Sequence, residues 1–201
     1  MILASSNAGK LAELTILLAP LGFELTPQQQ LGIESPPETG ETFLANALLK
    51  ARHAARTHGL PAIADDSGIE VDALGKAPGV RSARFAGEGA ADEENLRKLL
   101  TQMRNVPATR RGARYRCAIA FVRSAADADP ITAEGAWEGS IAEVPRGAGG
   151  FGYDPIFVPA GDARTAAELA PSEKNAVSHR ALALRALLAQ LRPASLGGAS
   201  A

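Results

Sequence analysis

The sequence predicts an α/β fold, with strands and helices mixed around a twisted sheet. Two periodicities carry that expectation. Leucines recur at helical spacing, as Leu11, Leu14, Leu17 and Leu18, and again as Leu182, Leu184, Leu187, Leu188 and Leu191. Apolar residues alternate with others at Ile69, Val71 and Ala73, and at Tyr115, Cys117, Ile119 and Phe121, as on the faces of strands. Size and composition agree: 201 residues, 46% hydrophobic and 21% charged, suffice for a real core in one domain or two closely joined lobes.

Residues 1–5 read as a short buried strand entering a turn at Asn7-Ala8-Gly9. The stripe over residues 10–19 predicts a helix, stopped by Pro20 and Gly22. Residues 23–26 look like a second strand, and residues 28–40 form a polar loop whose length suggests a functional role. Residues 42–58, rich in Ala and Leu, predict a helix closed by Gly59-Leu60-Pro61. Residues 61–64 read as a strand running into a turn at Asp65-Asp66-Ser67-Gly68, with the Ile69, Val71, Ala73 strand beyond it. A helix over residues 92–103 takes Asp92 as its N-cap. The long strand of Tyr115–Phe121 is followed by two more in residues 131–144, broken around Gly135 and Gly139. The last helix, residues 178–191, starts at Ser178. Residues 1–192 thus read as a single domain, and residues 193–201, small and polar, as a flexible tail.

Composition narrows the function. A net charge of −1 excludes a molecule that attracts nucleic acid or anionic membrane as a whole, so no nucleic-acid partner is expected and any anion site must be built locally. A single cysteine, Cys117, excludes an internal disulfide, and three scattered histidines suggest no zinc cage. No apolar run approaches the 18 or so residues of a membrane span, and residues 1–10 lack the features of a signal peptide, so a cytoplasmic protein is expected.

Three loops look able to hold phosphate or metal. Ser5-Ser6-Asn7-Ala8-Gly9-Lys10 joins a strand to a helix with small side chains, so backbone N–H groups and a helix N-terminus can face an anion. It is not a Walker A loop, and it also reads as a simple turn capped by Asn7 and Gly9. Gly147-Ala148-Gly149-Gly150-Phe151-Gly152 has the spacing of a dinucleotide fingerprint, but Pro155 and Pro159 forbid the helix that must follow. Phe151 and Tyr153 instead suggest a platform for a planar base, with Asp154 able to accept from ring N–H groups, or a glycine-rich turn whose aromatics return to the core. At Asp65-Asp66-Ser67-Gly68, adjacent carboxylates leaving an apolar strand suit Mg²⁺, which takes one or two carboxylates and fills its sphere with water and phosphate. A turn held by Asx hydrogen bonds is the alternative. Ser67 reads as a phosphate contact rather than a nucleophile, since no G-x-S-x-G elbow is present. His179 and Arg180 open the last helix with cations that oppose its dipole, a broken local rule that invites a functional reason.

In order along the chain, residues 6–10 (SNAGK), 38–43 (ETGETF), 46–52 (NALLKAR), 64–74 (ADDSGIEVDAL), 77–87 (APGVRSARFAG), 149–157 (GGFGYDPIF) and 178–184 (SHRALAL) resemble the inosine/xanthosine triphosphate pyrophosphatase family. The resemblance covers nearly the whole chain. It implies an elongated, two-lobed α/β molecule, with a long mixed sheet flanked by helices and the substrate cleft between the lobes. It also implies Mg²⁺-dependent hydrolysis of non-standard purine nucleoside triphosphates (ITP, dITP, XTP) to monophosphate and pyrophosphate, usually by a homodimer. By the same resemblance Asp66 is the general base and a metal ligand, with Glu38 a further acid of the metal site and Glu41 a rival for that role. Ser6, Asn7, Lys10, Lys50 and Ser67 grip the triphosphate, with Ser5, Ala8, Gly9 and Asp65 also among the substrate-binding residues and Asp65 beside Asp66, while Phe151, Gly152, Tyr153, Asp154, Lys174, His179 and Arg180 form the base pocket. One departure stands out: many members carry Glu directly before the Asn that matches Asn46, and here that position is Ala45. The competing readings are a related pyrophosphatase for pyrimidine or modified nucleotides and a nucleotide-binding regulator without catalysis.

Overall fold

A computed structural model describes residues 1–19 and 24–191. Along them run β1 (Ile2–Leu3), α1 (Ala8–Leu18), β2 (Thr26–Pro27), α2 (Phe43–His58), β3 (Ala62–Val71), α3 (Asp92–Gln102), β4 (Gly112–Val122), β5 (Ile131–Ile141), β6 (Phe157–Pro159), α4 (Pro171–Val177) and α5 (His179–Leu191). The strands lie in the order β2-β1-β3-β4-β5-β6. β1 is parallel to β2 and β3, whereas β5 and β6 are antiparallel, so the sheet is mixed, as the family resemblance implies. The chain forms two compact units, one of residues 1–66, 117–135 and the segment from Arg180, the other of residues 67–116 and 136–179.

In the first unit, strand alternation sorts side chains to two covered faces. Ile2, Ala4, Ala62, Ala64, Ala120 and Val122 pack with Ala47, Ala51, Ala54 and Ala55 of α2, whose small side chains let the helix lie close. Leu3, Ile63, Cys117 and Ile119 pack with Leu14 and Leu18 of α1 and with Ala183, Leu184 and Leu187 of α5. Thr42 caps α2 by accepting from the Ala45 N–H, and Gly59, at φ +68°, ends it. The second unit has its own core: Ile69 and Val71 of β3, Leu96, Leu99 and Met103 of α3, Tyr115 of β4, Trp137 and Ile141 of β5, and Tyr153, Ile156 and Phe157.

Several expectations need correction. Residues 65–68 are not a turn, because β3 runs unbroken through them. Gly68 is required inside that strand: a Cβ there would collide with the Ser82 hydroxyl and the Gly79 carbonyl. Likewise β5 is one strand rather than two. Gly139 does not break it but admits the Phe157 ring, whose Cζ would lie 2.7 Å from an added Cβ. α1 begins at Ala8, since the Asn7 side chain accepts from the Lys10 N–H at 2.9 Å and draws Ala8, Gly9 and Lys10 into the helix. The N-cap of α3 is Ala91; Asp92 is its first residue and accepts instead from the Gly152 N–H, while Glu94 accepts from the Ala91 N–H.

The strand carrying Ile69 and Val71 stops there, and Ala73 falls in a 3₁₀ turn, Asp72–Leu74. Part of the 28–40 loop is a 3₁₀ turn, Gln28–Leu31. The last helix is found as expected, α5 beginning just after Ser178, and an unexpected short helix, α4, precedes it, with the Ser178 N–H donating to the Lys174 carbonyl. Leu182 is 37% exposed, two residues and so some 200° around the helix from the buried Leu184. The helix stop at Pro20 and Gly22, the strand start at Phe23 and the tail at residues 193–201 lie outside the described residues.

Candidate active site

The first unit gathers its charges at the end of an apolar strand. Asp65 follows Ile63 on the face toward α1 and α5, and Asp66 follows Ala64 on the face toward α2, as the two-residue repeat of a strand requires. Their partners confirm the division. Asp65 Oδ2 accepts from Arg180 Nε and Nη2, each at 3.2 Å, and lies 3.5 Å from Lys10 Nζ. Asp66 Oδ1 accepts from Lys50 Nζ at 3.1 Å, and its Oδ2 accepts from Asn46 Nδ2 at 3.0 Å. Lys10 reaches toward both carboxylates, with Asp66 Oδ1 at 3.9 Å.

Further groups close the cluster. Lys50 Nζ also donates to Glu38 Oε1 at 2.9 Å. Glu41 is exposed, so Glu38 is the acid that joins Asp66. Arg180, 1% exposed, pairs with Glu13 as well as Asp65. Asn46 is fully buried and fixed at both ends, because its Oδ1 accepts from the Gly40 N–H at 2.8 Å while its Nδ2 serves Asp66. An added Cβ on Gly40 would lie 2.6 Å from that same Oδ1, so the close approach needs glycine.

These ion pairs set the local electrostatics. Burial works to raise the Asp65 pKa, yet Lys10, Arg180 and Lys50 outweigh it and hold the carboxyl well below the usual range. Burial likewise works to lower the Lys50 pKa, and Asp66, Asp65 and Glu38 together leave it raised. Burial and the nearby Asp65 push the Cys117 thiol up, so it stays protonated at neutral pH. Its Sγ lies 3.9 Å from Asp65 Oδ2.

The donor set suits a hard divalent cation. Four carboxylates (Glu13, Glu38, Asp65, Asp66) meet three cations (Lys10, Lys50, Arg180), which leaves 4 − 3 = 1 negative charge. Asp65 Oδ1 is buried without a hydrogen-bond partner. No group of three or more His, Cys, Asp or Glu among the described residues forms a ready cage, but Mg²⁺ needs only one or two carboxylates when phosphate and water complete its shell. Beside the cluster, Ser5 is buried with its hydroxyl accepting from the Asn7 N–H, Ser6, Asn7 and Ala8 are exposed at the start of α1, and Gly9 is half-buried.

The second unit places an aromatic and charged group around Asp154, which is 2% exposed. Asp154 Oδ1 accepts from the Tyr115 hydroxyl at 3.1 Å, and Oδ2 accepts from Lys174 Nζ at 2.5 Å and the Phe151 N–H at 2.9 Å. An added Cβ at Gly150 would strike that carboxylate. Lys174 Nζ also sits 4.9 Å from the centroid of the half-buried Phe151 ring. Tyr115 stacks on His179, with ring centroids 4.6 Å apart and planes 8° from parallel. Tyr153 is 4% exposed and donates its hydroxyl to the Ser82 carbonyl, so its ring lies in the core and Phe151 is the aromatic nearer the surface. Gly152 donates to Asp92, and Ser67 is half-buried in β3.

The structure therefore brings Lys10, Glu38, Lys50, Asp65 and Asp66 together, and Phe151, Asp154, Lys174 and His179 together. Arg180, which the resemblance groups with the second set, pairs with Asp65 and Glu13. Sequence reasoning missed Asn46, Glu13 and Tyr115. Asn46 four residues before Lys50, and Glu13 three after Lys10, share helix faces with the lysines and could have signalled the first two.

The model of the Ham1 family matches residues 1–190. The chain is 56% identical to a dITP/XTP pyrophosphatase of Methylococcus capsulatus over 192 residues, which covers 96% of each chain. It is 55% identical to a dITP/XTP pyrophosphatase of Yersinia pseudotuberculosis, covering 96% of this chain and 98% of that one. Among solved structures, a HAM1 protein from Coxiella burnetii superposes with a TM-score of 0.88 at 48% identity, covering 96% of this chain and 98% of that one. A nucleoside-triphosphatase / dITP/XTP pyrophosphatase from Mycobacterium abscessus gives a TM-score of 0.75 at 49% identity, covering 94% and 97%.

Proposed function

The chain belongs to the Ham1 family, and on that premise we propose that it hydrolyses the non-standard purine nucleotides ITP, dITP and XTP to monophosphate and pyrophosphate. The observation that carries this reading is Asp66, a nearly buried carboxylate aligned by Lys50 and Asn46 with Lys10 close by. A carboxylate offers about four lone-pair directions, and these two hydrogen bonds use two of them, which leaves capacity for a water. In the proposed reaction that water attacks the α-phosphorus, its proton passes to the Asp66 carboxylate, and the bond to the bridging oxygen of pyrophosphate breaks. Lys10, Lys50 and the N-terminal turn of α1 counter the triphosphate charge. Asp66 and Glu38 would hold Mg²⁺, with Asp65 Oδ1 beside them. A bound Mg²⁺ neutralises phosphate charge and lowers the pKa of water.

Base choice falls to the group around Asp154. Hypoxanthine and xanthine carry a carbonyl at position 6, where adenine carries an amino group. Lys174, a donor with no acceptor, suits the carbonyl and not the amine, and a mismatch at such a site discriminates by about 10⁴-fold. Guanine shares the carbonyl, so GTP is the informative competitor. A homodimer is part of the same proposal, on the strength of the family resemblance. The test is pyrophosphate release from ITP, XTP, dITP, GTP and ATP with and without Mg²⁺. We expect release from the first three, dependent on Mg²⁺, and little from ATP. Equal rates with ATP, or release of orthophosphate in place of pyrophosphate, would refute the proposal.

A further inference from the structure

Lys174 can read a base only if its ammonium is held still, and the groups that hold it reach beyond the base-pocket residues named so far. Its Nζ donates to Asp154 Oδ2, and Asp154 is in turn anchored through Oδ1 by the Tyr115 hydroxyl. Tyr115 is 7% exposed and projects from the first half of β4. Its ring is clamped by core neighbours, edge-on to Phe157 at 4.7 Å and stacked at 6.5 Å on Trp137. The same ring lies face to face with His179. One rigid side chain thus touches both the carboxylate that aims Lys174 and the imidazole of His179, while making its own contacts with the core.

We propose that Tyr115 is a positioning residue for base selection, fixing Asp154 and so Lys174 through its hydroxyl, and His179 through its ring. This rests on the base-pocket reading of Lys174. The hydroxyl acts at the far oxygen of Asp154. Without it, the carboxylate keeps Lys174 and the Phe151 N–H on one oxygen but loses the contact that fixes rotation of its plane, so the ammonium loses its fixed direction. A phenylalanine at position 115 would retain the ring, the stack on His179 and the packing, which separates the two roles.

The experiment is a double-mutant cycle on the ratio of kcat/KM for ITP to that for ATP, using Tyr115→Phe, Lys174→Met and the double variant. Tyr115→Phe is expected to lower the ratio by about fivefold, the worth of one buried hydrogen bond, mainly by raising KM for ITP. In the Lys174→Met background the same change should alter the ratio less than about twofold, because the group it acts through is gone. Asp154→Asn, which weakens both contacts, should lower the ratio at least as far as Tyr115→Phe. If Lys174→Met lowers the ratio and Tyr115→Phe does not, the positioning role fails while the base-pocket reading stands. If Tyr115→Phe costs the same in both backgrounds, or depresses kcat for ITP and ATP alike, the residue is merely structural and the proposal fails. If Lys174→Met leaves the ratio unchanged, the base-pocket reading falls and the proposal with it.

Discussion

Replacing Asp66 by Asn keeps the side chain's size and its contact with Lys50 but removes the proton acceptor. We expect kcat on ITP to fall by about 10³-fold or more, with nucleotide affinity by calorimetry within a few-fold of the parent; turnover near the parent rate would remove Asp66 from the proposed role. Asp65 and Asp66 could be singled out in the sequence because adjacent acids at the end of an apolar run are uncommon. Their partners could not. Arg180 lies 115 residues from Asp65, and Tyr115 lies 39 from Asp154; pairs so distant leave no local spacing to read. Arg180 drew notice as a cation at a helix start, and the neighbour that explains it, Glu13, comes from the opposite end of the chain.

At the level of elements, glycine was the ambiguous letter. Inside β5 it suggested a break, yet Gly139 sits in the strand because Phe157 presses against it. Gly139→Ala is expected to destabilise the fold by about 1–3 kcal/mol, the usual cost of overpacking, read as a lower urea midpoint with an unchanged slope. An unchanged midpoint would mean that Phe157 yields at no cost. The helices α1, α2 and α3 were legible because each carries an apolar stripe with a local start or stop signal, although α1 starts earlier than expected, after Asn7, and Ala91 rather than Asp92 caps α3. α4 was not legible: Pro171–Val177 buries Lys174 and has no apolar stripe. β3 was misread at residues 65–68 because charges interrupt its alternation, and those charges are tolerated in a strand only through cations brought from other elements.

For the molecule as a whole, the same ion pairs bound the pH range of stability in the metal-free protein. Asp65 has a depressed pKa, so its contribution is complete above about pH 4, the ordinary value for Asp, and is lost as pH falls toward the folded value. Lys50 has a raised pKa, so its contribution is complete below about pH 10 and is lost as pH rises through the folded value. Unfolding free energy measured against pH should therefore be flattest between those limits. Asp65→Asn should lower it there by about 3 kcal/mol and soften the decline in acid; an acid limb as steep as the parent's would contradict the assignment. Fold class was legible because periodicity is local. Two lobes were expected from the resemblance, but the boundaries of the two units were not legible, since each is assembled from separate stretches and β3, β4 and β5 contribute residues to both, leaving no linker to betray them. The paired aspartates add a last consequence. Exchanging two identical neighbours leaves the sequence unaltered, so nothing in either residue tells it which face to serve; odd or even position along the strand decides. A one-residue deletion within 62–64 would keep both acids in the chain and yet reverse that parity, sending each to the other's partners. For inheritance, the spacing before these acids is therefore as much part of the message for the proposed site as the acids themselves.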